Sequence, residues 1–129
     1  MKLSIIWFVG GDADLRQEFS QILTGLGYQV HFCADYQVFQ RKLLSGECPD
    51  ALILYSPVNT QLVLKSLDFI RQRKIWHFLP VLVLLPEVSP ESMDRIWEGG
   101  ADGCLTLPIS GEEVDAALSK AFQRRKIFS

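Results

Sequence analysis

Gly10-Gly11-Asp12-Ala13-Asp14 is where this sequence comes nearest to a reactive constellation: two carboxylates behind a glycine pair, residue types that hold a hard cation or frame an anion at a helix start. The spacing argues against both. A nucleotide cradle needs GxGxxG or GxxxxGK[ST], and this segment has neither. An acid opening a helix is more simply a cap that accepts from free backbone N–H groups. His31 and His77 lie far apart in sequence, with no acid and nucleophile placed around them as a triad. Cys33, Cys48 and Cys104 are odd in number and lack CxxC or Cys/His metal spacing. Two of them are expected to be neutral buried thiols, in a chain suited to a reducing cytoplasm. Tyr55 ends an apolar run, where its ring is expected to fill space and its hydroxyl to reach a crevice mouth. With no activated nucleophile, acid/base pair, metal cluster or phosphate loop, the expectation is a protein that is not an enzyme and holds no cofactor or metal.

The hydrophobic pattern places these residues on alternating strands and helices. Leu3 to Val9 is apolar at nearly every position, as a parallel strand buried on both faces must be, and it stops at Gly10-Gly11. Leu15, Phe19, Ile22, Leu23 and Leu26 then recur at helical spacing between an Asp12 cap and Gly27. Gln29 to Cys33 is a second strand, and Asp35 to Leu44 a second helix closed by Ser45-Gly46. Ala51 to Tyr55 is a third strand, followed by a helix from about Thr60 to Gln72 with Leu64, Leu67 and Ile70 inward. The basic run Arg71 to Lys74 suits the C-terminal end of that helix. Pro80 to Leu85 is a fourth strand; Ser89 and Pro90 open a fourth helix with an apolar stripe of Met93, Ile96 and Trp97. Gly103 to Thr106 is the last strand, and Ser110 with Glu113 forms a capping box for a helix ending in Arg124-Arg125-Lys126.

Right-handed crossovers between five such strands give an α/β, doubly wound parallel sheet with helices on both faces, for which the strand order 2-1-3-4-5 is expected. Its functional crevice would lie at the C-terminal strand ends, at Gly10, Gly11, Asp12, Tyr55, Leu85 and Leu107. A chain of 129 residues is enough for one core, so residues 1–129 are expected to form a single domain. With 48% hydrophobic and 22% charged residues it should fold, and a formal charge of -2 supplies no positive field for nucleic acid or an anionic membrane. The first apolar run reaches Gly10 far short of the roughly 20 residues needed to span a bilayer, and is a strand rather than a signal peptide. The ending Lys126-Ile127-Phe128-Ser129 leaves open whether an output domain follows.

From about Lys2 to Arg125 the chain resembles the receiver domain of two-component response regulators. Val9-Gly-Gly-Asp-Ala-Asp-Leu-Arg16 resembles the family's opening, and Gly27-Tyr28 its turn into strand two. Pro49-Asp50 and Pro80-Val81 introduce strands three and four as in the family, and Gly99-Gly100-Ala101-Asp102 with Leu107-Pro108 resembles the stretch around strand five. The resemblance implies a cis Leu107-Pro108 bond. It also implies which positions should carry phosphoryl transfer. There an acidic pair and a strand-three aspartate hold Mg²⁺, the aspartate takes the phosphoryl group, and a hydroxyl and a lysine stabilise its charge. Here those positions align with Gly10 and Gly11, Tyr55, Leu85 and Leu107, and the switch aromatic with Cys104.

The resemblance therefore implies a pseudo-receiver that binds a protein partner, or its own copy, without phosphorylation. The family's output face, fourth helix, fifth strand and fifth helix, would present residues among Arg95, Trp97, Glu98, Cys104 and Thr106. An exposed Trp or Arg there would suit a binding hot spot. The alternative is a small-molecule sensor using a crevice lined by Gly10, Gly11, Tyr55, Leu85 and Leu107. Ile75-Trp76-His77-Phe78-Leu79 is unusually apolar for a loop; packing onto the body is expected over an exposed contact cluster.

Overall fold

The computed structural model describes residues 3–57, 60–87 and 89–126; the chain ending at 127–129 and Lys2 lie outside the described residues. Five strands, β1 (Ile5–Val9), β2 (Gln29–Cys33), β3 (Ala51–Tyr55), β4 (Val81–Leu85) and β5 (Gly103–Thr106), pair in parallel in the order β2-β1-β3-β4-β5. The helices α1 (Ala13–Gly25), α2 (Tyr36–Leu44), α3 (Thr60–Arg71), α4 (Pro90–Glu98) and α5 (Gly111–Lys126) make the crossovers. The expected doubly wound architecture and strand order are those observed.

Strand alternation divides the interior in two. On one side Trp7, Val9, Leu52, Leu54, Val83 and Leu85 pack with Phe39 and Leu43 of α2, Val63, Leu67 and Ile70 of α3 and Ile96 of α4. On the other, Ile6, Phe8, Ala51, Ile53, Leu82 and Leu84 pack with Phe19 and Leu23 of α1 and Val114, Leu118 and Ala121 of α5. Both faces of the three central strands are thus dry, which is why β1, β3 and β4 carry nearly unbroken apolar runs.

The caps follow the local chemistry. Asp12 accepts from Leu15 N at 2.8 Å and Asp35 from Val38 N at 2.9 Å. Ser89 caps α4 with Pro90 in its first turn, and Ser110 and Glu113 exchange backbone bonds at 3.3 Å as a capping box.

Four expectations need correction. β1 begins at Ile5, since Leu3 lies outside the sheet and is exposed. The α3 residue fully buried beside Leu67 and Ile70 is Val63, while Leu64 is only partly covered. On α4 only Ile96 is buried, and Trp97 turns outward, 42% exposed. The apolar loop before β4 contains a 3-10 turn, η1 (Lys74–Trp76), and divides its side chains: Trp76 and Leu79 are buried, whereas Ile75 and Phe78 remain exposed.

Candidate functional site

At the C-terminal ends of β1 and β3 the backbone runs so close that a side chain at Gly10 is excluded. Gly10 has φ +90° and donates its N–H to Cys33 O at 3.1 Å; a Cβ on it would stand 2.6 Å from the Tyr55 carbonyl oxygen. Only glycine meets both demands. Gly11 leads into α1 against Phe8 and Leu15. Across the sheet, Leu107 N–H donates to Leu85 O at 3.1 Å, and the Leu107-Pro108 bond is cis, as the resemblance implied.

The five positions meet through backbone, but their side chains part. Tyr55 and Leu107 pack against the cluster beneath α1 and α5, while Leu85, 3% exposed, belongs to the opposite cluster beneath α3 and α4. Two residues that sequence reasoning missed complete the crevice. Tyr36, first residue of α2, donates its hydroxyl to Tyr55 O at 3.1 Å, and burial holds that phenol well above its ordinary pKa. Arg16 of α1 donates Nε–H to Gly10 O at 3.1 Å, with its guanidinium 5.9 Å from the Phe32 ring. Neither was legible, because each depends on a backbone carbonyl brought near only by the fold.

The α4–β5–α5 side is different in kind. Trp97, Cys104, Leu105, Ala116 and Ala117 line a groove of about 330 Å³, with Glu113 and Lys120 at its polar margin. Arg95, Glu98 and Thr106 are exposed around the same elements. Burial pushes the Cys104 thiol up, so it sits there as a neutral, partly covered group. Cys33 is buried and its thiol is likewise raised, while Cys48 is exposed.

A further polar cluster lies at the other end of the sheet. Asp102, immediately before β5, has a fully buried side chain on which Arg71, Arg124 and Arg125 converge at 3.0, 3.0 and 2.7 Å. Its Oδ2 also accepts Val81 N–H at 2.9 Å. Arg125 and Arg71 both reach Gly100 O, and they hold the carbonyls of His77 and Trp76 respectively. Gly100, φ +105°, leaves room for the Arg71 stem, which a Cβ would meet at 2.7 Å. The sequence marks Arg71 and Arg125 as helix ends; only the tertiary structure reveals that they share a carboxylate.

Solved structures that superpose on this chain include receivers. A CheY-like response regulator receiver domain protein from Methanospirillum hungatei superposes with a TM-score of 0.78 at 17% identity, covering 99% of this chain and 100% of that one. The chemotaxis response regulator CheY4 of Vibrio cholerae gives 0.79 at 24% identity, over 93% and 99%. A response regulator receiver domain protein from Clostridium thermocellum gives 0.77 at 16% identity, over 98% and 100%. No family model matches the sequence, and no curated protein matches it. The chain has the receiver fold.

The Mg²⁺ that the resemblance implies for receivers does not fit these residues. Such a hard ion takes oxygen ligands, several of them carboxylate. Gly10 and Gly11 bring no side chain, Asp12 Oδ1 is engaged in capping α1, and the Tyr55 carbonyl is occupied by Tyr36. Among the described residues no group of three or more His, Cys, Asp or Glu side chains gathers as a metal site, and no helix is long and apolar enough to cross a membrane.

Proposed function

We propose that this chain is a pseudo-receiver: a signalling module of receiver fold that recognises a protein partner, or a second copy of itself, without aspartyl phosphorylation and without enzymatic activity. The observation that carries it is the crevice. Phosphoryl transfer needs an anionic nucleophile and fixed charges around the moving group. At the corresponding positions stand Gly10, Gly11, Tyr55, Leu85 and Leu107, and the backbone at Gly10 is too close to Tyr55 O for any side chain.

The recognition surface is the α4–β5–α5 side. Its groove is partly apolar, its walls include the two small residues Ala116 and Ala117, and the half-exposed Trp97 offers the residue type most often found at hot spots. The packing of Leu85 on one side of the sheet and of the partly buried Tyr55 and Leu107 on the other favours this surface over a small-molecule site in the crevice.

The test is capture of partners on the tagged protein from its own source, with an Arg95→Ala/Trp97→Ala variant in parallel, before and after treatment with acetyl phosphate and Mg²⁺. A partner held by the wild type, lost by the variant and indifferent to acetyl phosphate supports the reading. A partner retained by the variant, or released by phosphorylation, contradicts it.

A further inference from the structure

The sheet has two edges, and they differ in what they offer. β5, at one, is four residues long, begins with Gly103 and borders the groove between α4 and α5. β2, at the other, is the five-residue run Gln29-Val30-His31-Phe32-Cys33, with no Lys, Arg, Asp, Glu or Pro. Its register on β1 is continuous over all five residues, so no bulge interrupts it. Edge strands that remain single are ordinarily guarded by a Lys, a Pro or a bulge, because their open N–H and C=O groups are a template for another strand. β2 has none of these guards.

The ladder fixes which backbone groups are open. Gln29 donates its N–H to Ser4 O at 2.9 Å at one end of β2, and Cys33 O accepts Gly10 N–H at 3.1 Å at the other. A parallel pair uses alternate residues, so Gln29, His31 and Cys33 face β1, while Val30 and Phe32 turn both N–H and C=O outward. Side chains alternate between the two faces of the sheet. Val30 and Phe32 are partly buried on the α1 side, where Phe32 meets the Phe8 ring edge-on at 5.7 Å. On the other face Gln29 and His31 are exposed and joined by a 3.0 Å hydrogen bond.

This pattern is complementary to itself. With two copies antiparallel about His31, Val30 of each stands opposite Phe32 of the other, and every such pair exchanges two hydrogen bonds through the groups that face outward. The same register sets a β-branched side chain against an aromatic one twice, a favourable cross-strand combination. On the opposite face the two His31 residues come together with Cα atoms about 4.5 Å apart. Neither strand carries a formal charge with His neutral, so identical edges meet without repulsion. We propose that two copies of this chain pair antiparallel through β2, joining their sheets into one and leaving the α4–β5–α5 side, at the far edge of each, open to a partner.

Sedimentation velocity of the full chain across a concentration series provides the test, with hydrogen exchange to locate the contact. A reversible dimer is expected, with the Val30 and Phe32 amides gaining protection as it forms. Val30→Pro removes an outward N–H that the β1 ladder does not use, a change edge strands accept. His31→Lys sets two ammonium groups opposite each other. Each should weaken the dimer roughly tenfold or more, and Trp97→Ala should leave it unchanged. Thermal melts verify that the variants fold, and His31→Lys, an exposed position, carries the test if the proline variant does not. A chain that stays monomeric up to about 1 mM overturns the proposal. So does a dimer that Trp97→Ala dissolves and the β2 variants leave intact, or one in which the Val30 and Phe32 amides stay unprotected.

Discussion

The two ends of the sheet use opposite physics. At the C-terminal ends Gly10, Tyr55, Leu85 and Leu107 are joined by backbone hydrogen bonds and close approach, and two of the polar side chains there, Arg16 and Tyr36, are turned onto carbonyls. At the N-terminal ends a buried carboxylate is surrounded by three arginines that tie α3, η1, β4 and α5 together. A site for phosphoryl transfer needs uncancelled charge at the first end. This chain concentrates its charge at the second, where it holds elements together. The fold is compatible with either arrangement, which is why architecture alone does not assign the chemistry.

The largest test of that contrast is Asp102→Ala. It strips three guanidiniums and the Val81 N–H of their shared acceptor, and removing one partner of a buried pair costs about 3–5 kcal/mol. Urea unfolding should record most of that loss; a change below about 1 kcal/mol, the net worth of an ordinary hydrogen bond, would mean the cluster is incidental.

At the other end Gly10→Ala should cost roughly 2 kcal/mol, because the new Cβ meets Tyr55 O and the positive φ is strained. An unaltered midpoint would show that the crevice backbone relaxes freely.

Tyr36→Phe should cost about 1 kcal/mol near neutrality by leaving Tyr55 O without its donor. It has a pH signature too. The folded phenol is raised above its ordinary value of 10.0 by burial, so the stability linked to its protonation is complete below that pH and falls as pH rises further, when the unfolded chain ionises first. The variant should therefore lose less stability than the wild type between pH 9 and pH 11; parallel curves would count against a buried phenol.

The smallest effect on folding belongs to the exposed Trp97. Trp97→Ala should shift the melting midpoint by an amount equivalent to less than about 0.5 kcal/mol, as at an ordinary surface position. A large loss would make it a packing residue and weaken the case for a recognition surface.

Elements whose signals are local were legible in the sequence. β2 and β3 have the expected bounds, and Asp12 and Ser89 act as the expected caps, since capping depends on residues within one turn. Ile75 to Leu79 has no regular period, so nothing in it announced a 3-10 turn that buries Trp76 and leaves Phe78 open. Arg71, Asp102 and Arg125 belong to separate stretches of chain, and Arg71 and Arg125 each have a sufficient local explanation at a helix end. Their convergence is a tertiary fact. The crevice positions were legible as the C-terminal strand ends of the expected sheet, their match to phosphoryl-transfer positions only through the resemblance to receivers, and the contacts made there by Arg16 and Tyr36 not at all.

The central claim, that this receiver fold works without phosphoryl chemistry, is tested most directly by following backbone amide resonances while Mg²⁺ and then beryllofluoride, a phosphoryl mimic, are added. The expected result is no saturable shift at Gly10, Gly11, Tyr55, Leu85 or Leu107. Saturable shifts at those amides, spreading to Cys104 and Trp97, would show that the crevice still binds the ion and its anion, and would contradict the account.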